Sequence, residues 1–227
     1  MKAQTILSAL LPAMAMAAPP AEKRAAKPPA FYLAGDSTTA KQSEGGGGWG
    51  NGFLSFLKSP AKGTNYGVNG RTTVDYVSGG YWATVKKAVT DSVKDFDVYV
   101  TIQFGHNDQK PEKNISLDQY QANLGNLAKE IKALGATPIL VTPLTRRSFS
   151  NGVVTNNLFV QAIGEDKAHS YNLKADDNTH LNAEGSVVFG RLVADLVLQK
   201  ETQLASYFNA NKTLSDEIWK AINSSTV

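Results

Sequence analysis

Four short polar stretches in this sequence carry side chains able to make or break a bond. Ser37 follows Gly35-Asp36 and offers a hydroxyl in a tight turn. Asp177-Asn178-Thr179-His180 sets a carboxylate three residues ahead of an imidazole. Within one loop that carboxylate can curl back to accept the Nδ1 proton, which fixes the tautomer and frees Nε2 to take a proton from a hydroxyl. A competing reading makes His180 a flank of the helix that begins after Asn182, and His106 and His169 compete for the part of the base. Asn107, within Gly105-His106-Asn107-Asp108, has an amide that donates two hydrogen bonds without carrying charge, which suits it to hold a tetrahedral oxyanion. Asn69-Gly70-Arg71 is a turn in which the missing Cβ lets the Gly70 N–H approach a ligand closely. Taken singly, each stretch also reads as a plain turn or a cap. A metal centre would need HExxH-like or carboxylate-rich spacing, which the three histidines lack.

Side chains this far apart in sequence need rigid elements to bring them together. Phe31-Tyr32-Leu33-Ala34 is a short apolar run that stops at Gly35-Asp36-Ser37, a buried strand delivering Ser37 to its rim near a helix N-terminus. Val98-Tyr99-Val100-Thr101-Ile102-Gln103-Phe104 is rich in β-branched and aromatic residues and ends at Gly105-His106-Asn107-Asp108. Ile139-Leu140-Val141 repeats the pattern before Thr142-Pro143. Between these two strands, Ser116 and Gln119 form a capping-box pair, and Leu117, Tyr120, Leu124, Leu127, Ile131 and Leu134 recur at steps of three and four until Gly135. Strand, crossover helix and strand at this spacing predict parallel pairing. A second helix spans Tyr81 to Asp95 with Trp82, Val85, Val89 and Val93 inward, and a third follows Asn182 with Val188, Leu192 and Leu196. The alternation predicts an α/β, doubly wound, flavodoxin-like parallel sheet with helices on both faces, binding ligands outside the strands' carboxyl ends.

The stretch from Thr145 to Asp176 interrupts this rhythm. It holds one apolar patch, Leu158, Phe159, Val160 and Ile163, and only 33 residues separate Pro143 from Asp177. That patch cannot supply both a strand of about five residues and a covering helix, so the sheet is expected to lack its last strand-helix unit.

Composition bounds the whole. The chain has 227 residues, 42% hydrophobic and 19% charged, with no cysteine, which fits one globular domain held by core packing and excludes disulfides and thiolate metal sites. Residues 1–17 read as a secretory signal peptide: Lys2, an apolar run from Ile6 to Ala13, then Ala15-Met16-Ala17. Residues 18–29 read as a propeptide or flexible lead-in with a dibasic Lys23-Arg24, residues 30–200 as the domain, and residues 201–227 as a C-terminal surface appendage with helical spacing at Leu214, Ile218 and Ile222. Asn114-Ile115-Ser116, Asn211-Lys212-Thr213 and Asn223-Ser224-Ser225 are glycosylation sequons consistent with export. Without the leader's Lys2, Lys23, Arg24 and Glu22, 20 basic residues face 19 acidic ones, a balance that argues against nucleic acid or a membrane surface as partner. Gly45 to Gly48 lacks the Gly-Lys-Ser/Thr ending of a phosphate loop and reads as a flexible connection near the mouth of the site.

In order along the chain, Leu33-Ala34-Gly35-Asp36-Ser37-Thr38, Asn69-Gly70-Arg71-Thr72, Phe104-Gly105-His106-Asn107-Asp108 and Asp177-Asn178-Thr179-His180-Leu181-Asn182 resemble the four blocks of the SGNH (GDSL) hydrolases. Among these the resemblance is greatest to secreted fungal rhamnogalacturonan acetylesterases, and it covers about Phe31 to Leu198. It implies Ser37 as nucleophile, His180 as base and Asp177 as its orienting carboxylate, with the Ser37 N–H, Gly70 N–H and Asn107 amide as oxyanion hole. It implies removal of acetyl esters from pectic rhamnogalacturonan with no cofactor; the exported chain is expected to act as a monomer. Trp49, after the glycine run, could present an aromatic face to the polysaccharide, and Arg146 and Arg147 could meet uronate carboxylates. Two alternatives stand beside this: an acetylesterase for another plant polysaccharide, and a secreted carbohydrate-binding protein on the same fold with little or no catalysis.

Overall fold

The computed structural model describes residues 27–154 and 158–224. The signal peptide and most of the lead-in lie outside them. Four strands, β1 (Pro29–Gly35), β2 (Lys62–Asn65), β3 (Asp97–Gln103) and β4 (Thr137–Leu140), form one all-parallel sheet in the order β2-β1-β3-β4. Seven helices surround it among the described residues: α1 (Gly50–Ser55), α2 (Thr73–Ser78), α3 (Tyr81–Ser92), α4 (Leu117–Ala133), α5 (Leu158–His169), α6 (Ala183–Lys200) and α7 (Lys212–Ser224).

Both faces of the sheet are buried, so β1 is apolar throughout rather than alternating. Phe31 and Leu33 point to one face, where α1, α5, α6 and α7 supply Phe53, Phe159, Val160, Val188, Phe189 and Ile218. Ala30, Tyr32 and Ala34 point to the other, against Tyr76, Trp82, Val85, Val89, Leu127 and Ile131 of α2, α3 and α4. The architecture is the doubly wound α/β sheet. Chain direction across it reverses between β1 and β3, which opens a crevice at their carboxyl ends.

No further strand follows β4 among the described residues, so the sheet ends there, as the short connection after Pro143 implies. Leu140 on this open edge and Leu196 of α6 remain 56% and 47% exposed. The apolar patch at 158–163 becomes α5, interrupted at Gly164, whose φ of 75° breaks the helical path. The tail does more than decorate the surface: Ile218 is buried in the core, Arg191 donates from Nε to Ser215 Oγ and from Nη1 to the Asn209 carbonyl, and Trp219 Nε1 donates to Asp195 Oδ2.

Candidate active site

Ser37 lies two residues beyond the end of β1 and is almost fully buried. The expected helix N-terminus is absent here, because the chain makes a single turn closed by Thr39 and Ala40 N–H donating to the Asp36 carbonyl, and α1 starts only at Gly50. Asp36 holds that turn from within: its Oδ1 accepts from the Thr38 N–H and Thr38 Oγ1, both at 2.8 Å. Burial pushes the Asp36 carboxyl up, while these two bonds from Thr38 oppose the shift.

Below the turn, Gln103 of β3 acts as a hub that sequence reasoning missed. Its Oε1 accepts from Thr39 Oγ1 and Trp49 Nε1 at 2.7 and 2.8 Å, and its Nε2 donates to the Thr142 carbonyl. A polar residue among β-branched neighbours near a strand's carboxyl end was the available signal.

The loop before α6 completes the array. His180 Nε2 lies 2.7 Å from Ser37 Oγ, and His180 Nδ1 lies 2.8 Å from Asp177 Oδ2. A carboxylate only accepts, so Nδ1 carries the proton and Nε2 receives the Ser37 hydroxyl. Asp177 is held in place by its other oxygen, which accepts from the Thr179 and His180 N–H at 3.0 and 2.9 Å. Partial burial would raise the Asp177 carboxyl, but the bonds from His180 and Thr179 outweigh it and hold the group below the usual carboxylate value. It is therefore ionised beside the imidazole at neutral pH.

Two close backbone approaches bring these loops together. Leu181 N–H donates to the Gly47 carbonyl at 2.7 Å, and Trp49 N–H to the Thr38 carbonyl at 3.1 Å. A Cβ at Gly48 would lie 1.8 Å from Thr38 O. The glycine run, expected to be a flexible mouth, is instead a buried seam from Gly46 to Gly48 between the serine turn and the histidine loop. Helix α6 is set against it by contact at Gly52 and Gly190 of α1 and α6, and by Ser186 Oγ, which donates to the Gly48 carbonyl at 2.7 Å.

Around Ser37 stand the remaining sequence candidates. Asn107, buried, donates from Nδ2 to the Arg71 carbonyl at 3.2 Å, which ties the loop after β2 to the end of β3 and leaves one amide hydrogen for another acceptor. Gly70 is exposed in a turn with φ of 73°. Among the described residues, neither the Ser37 nor the Gly70 N–H has a protein acceptor. His106 is excluded as the partner of Ser37: its Nε2–H is spent on the Leu144 carbonyl at 2.5 Å. His169 sits at the end of α5 and donates from Nε2 to the Arg147 carbonyl at 2.7 Å.

Two expected substrate contacts are corrected. Trp49 is 1% exposed, its ring packed on Phe53 and its Nε1 bound to Gln103, so it has no face to offer a polysaccharide. Arg147 is 0% exposed and bonds within the protein, to Asn172 and His180. Arg146 alone of the three is exposed, with Nη1 donating to Thr179 Oγ1 at 2.8 Å on the rim of the histidine loop.

A hydroxyl, imidazole and ionised carboxylate in line, at the carboxyl rim of a doubly wound sheet, define a class of acyl-transfer proteins. The chain belongs to the GDSL-like lipase/acylhydrolase family, whose model matches residues 31–209. It is similar to rhamnogalacturonan acetylesterase RhgT of Bacillus subtilis strain 168, 32% identical over 112 residues, which cover 49% of this chain and 46% of RhgT. It is also similar to the probable rhamnogalacturonan acetylesterase YesY of the same strain, 28% identical over 181 residues, covering 65% of this chain and 81% of YesY. The first of these alignments thus spans less than half the relative's length. The crystal structure of the Bacillus subtilis protein YXIM shares the fold at 19% identity and a TM-score of 0.65, over 79% of this chain and 58% of that one.

Proposed function

We propose that this protein is a secreted serine esterase that removes acetyl groups from pectic rhamnogalacturonan. The observation that carries the reading is the Ser37 Oγ to His180 Nε2 distance of 2.7 Å, with Asp177 on the far side of the imidazole. As Ser37 Oγ attacks the acetyl carbonyl carbon, His180 Nε2 takes the hydroxyl proton, and Asp177 stabilises the imidazolium. The tetrahedral oxyanion is received by the Ser37 N–H, the Gly70 N–H and the free hydrogen of the Asn107 amide. When the intermediate collapses, the C–O bond to the sugar breaks, and His180 returns the proton to the departing sugar oxygen. Water, deprotonated by His180, then attacks the acetyl-enzyme, releasing acetate and restoring the Ser37 hydroxyl.

The substrate class follows the names of the two relatives, and export follows the reading of residues 1–17. Exposed Arg146 is the residue best placed to meet a uronate carboxylate beside the acetylated sugar. Hydrolysis of p-nitrophenyl acetate by wild type and Ser37→Ala tests the mechanism, with a loss of at least about a thousandfold expected in the variant. A wild type no faster than Ser37→Ala would replace this reading with that of a carbohydrate-binding protein. Acetate release from a panel of acetylated pectins and xylans identifies the polymer, with rhamnogalacturonan expected to be the best.

A further inference from the structure

Arg147 takes no part in the steps above, yet its side chain and its backbone N–H bond only to the loop that carries the base. Its Nε donates to Asn172 Oδ1 at 2.7 Å and its Nη2 to the His180 carbonyl at 2.6 Å, while Nη1 has no hydrogen bond. Its backbone N–H donates to the Asn178 carbonyl at 2.8 Å. Asn172 passes the restraint on, donating from Nδ2 to Asn178 Oδ1 at 2.9 Å, and the His180 carbonyl also accepts the Leu173 N–H at 2.9 Å. One residue from the connection between β4 and α5 therefore grips the histidine loop at Asn172, Asn178 and His180. A fully buried guanidinium is costly to keep unless its bonds and charge are used. Burial pushes it down to about 10, with the Asp177 carboxylate acting in the opposite direction, so it stays charged at neutral pH.

We propose that Arg147 is a positioning residue for the Ser37, His180 and Asp177 array: it fixes the height of the imidazole through the His180 carbonyl and holds the loop that carries it through Asn172 and Asn178. The proposal rests on the esterase reading. The other titratable and charged groups near the pair are His106 beyond the end of β3, Arg146 on the rim of the histidine loop, Asp36 in the serine turn, and His169 at the end of α5, which holds the Arg147 carbonyl. Lys174 and Asp176, on the same loop, are exposed. All of these remain in place when Arg147 alone is changed.

The test compares wild type, Arg147→Met, Arg147→Lys and Ser37→Ala in p-nitrophenyl acetate hydrolysis from pH 5 to 9, with Tm measured for each. Loss of the grip in Arg147→Met should lower kcat about ten- to a hundredfold with KM within about twofold, because a base displaced by under an ångström loses alignment. Arg147→Lys, which keeps the charge without the fork, should recover only part of kcat. An Arg147→Met profile superimposable on wild type, whatever its Tm, overturns the proposal. Should Arg147→Met fail to fold, Arg147→Lys decides: kcat within about twofold of wild type overturns it. A wild type no faster than Ser37→Ala overturns the esterase reading and this proposal together, whereas an active wild type with an unchanged Arg147→Met overturns this proposal alone.

Discussion

His106 and His180 both stand at the carboxyl rim of the sheet, and what separates them is where each ring nitrogen points. His106 gives its Nε2–H to the Leu144 carbonyl and keeps Nδ1 buried with no partner, so a second proton would have no acceptor. Burial accordingly lowers its affinity for protons below that of an ordinary histidine, against the pull of the Leu144 carbonyl and Asp36. The sign of the pH effect follows. As pH falls through 6.5, the unfolded chain binds a proton that the folded chain refuses, so folding stability is full above that value and declines below it. Tm should therefore fall between pH 6.5 and 5 in wild type, and less steeply in His106→Gln, whose amide can still donate to Leu144. Equal slopes in the two proteins would show that His106 does not carry this effect. At the level of residue types the two histidines are interchangeable, since both follow turn-forming neighbours. Asp177 three residues earlier is the one local feature that favours His180, and it does so because a loop that short closes on itself.

Among the elements, those with a strong apolar pattern were legible, and the one strand held by backbone pairing alone was not. The spans read at Tyr81 and Leu117 become α3 and α4, because their buried stripes recur every three or four residues. Strand β2, Lys-Gly-Thr-Asn, was missed: three of its four residues are exposed, and an edge strand paired to β1 on one side needs no apolar pattern. The glycine run was misread for a related reason. Composition reports that glycine is permissive, whereas only the assembled chain shows that Gly48 faces Thr38 O with no room for a methyl group. Gly48→Ala must push the serine turn away from its seam. It should cost about 3 kcal/mol or more of stability and abolish ester hydrolysis, both checked on purified protein. A variant with wild-type Tm and activity would mean that the seam yields easily.

The molecule as a whole compensates for a short connection after β4. Its four-stranded sheet has one face covered by α1, α5, α6 and α7, and α7 contributes Ile218 to the same core that receives Phe31 and Phe53. Truncating Ile218 to alanine should destabilise by about 3 kcal/mol, or roughly 6–12 °C in Tm for a chain of this size. The measurement is thermal unfolding by circular dichroism. A change under about 1 °C would mean that the tail only rests on the surface, the reading its position at the end of the chain first suggests.

Local chemistry was written in the sequence: a serine after a buried strand, a carboxylate and imidazole three residues apart, an amide at the end of another strand, and the alternation that makes a parallel sheet. Those features depend on neighbours within a few residues, which a one-dimensional reading can see. Folding supplied the rest. Which histidine meets the hydroxyl, why Trp49 and Arg147 are buried rather than presented to a ligand, and how Gln103 and Gly48 hold the serine turn all depend on contacts between residues roughly 10 to 140 positions apart. Only a packed chain sets such distances, because burial, and the hydrogen bonds it demands, are properties of the whole interior.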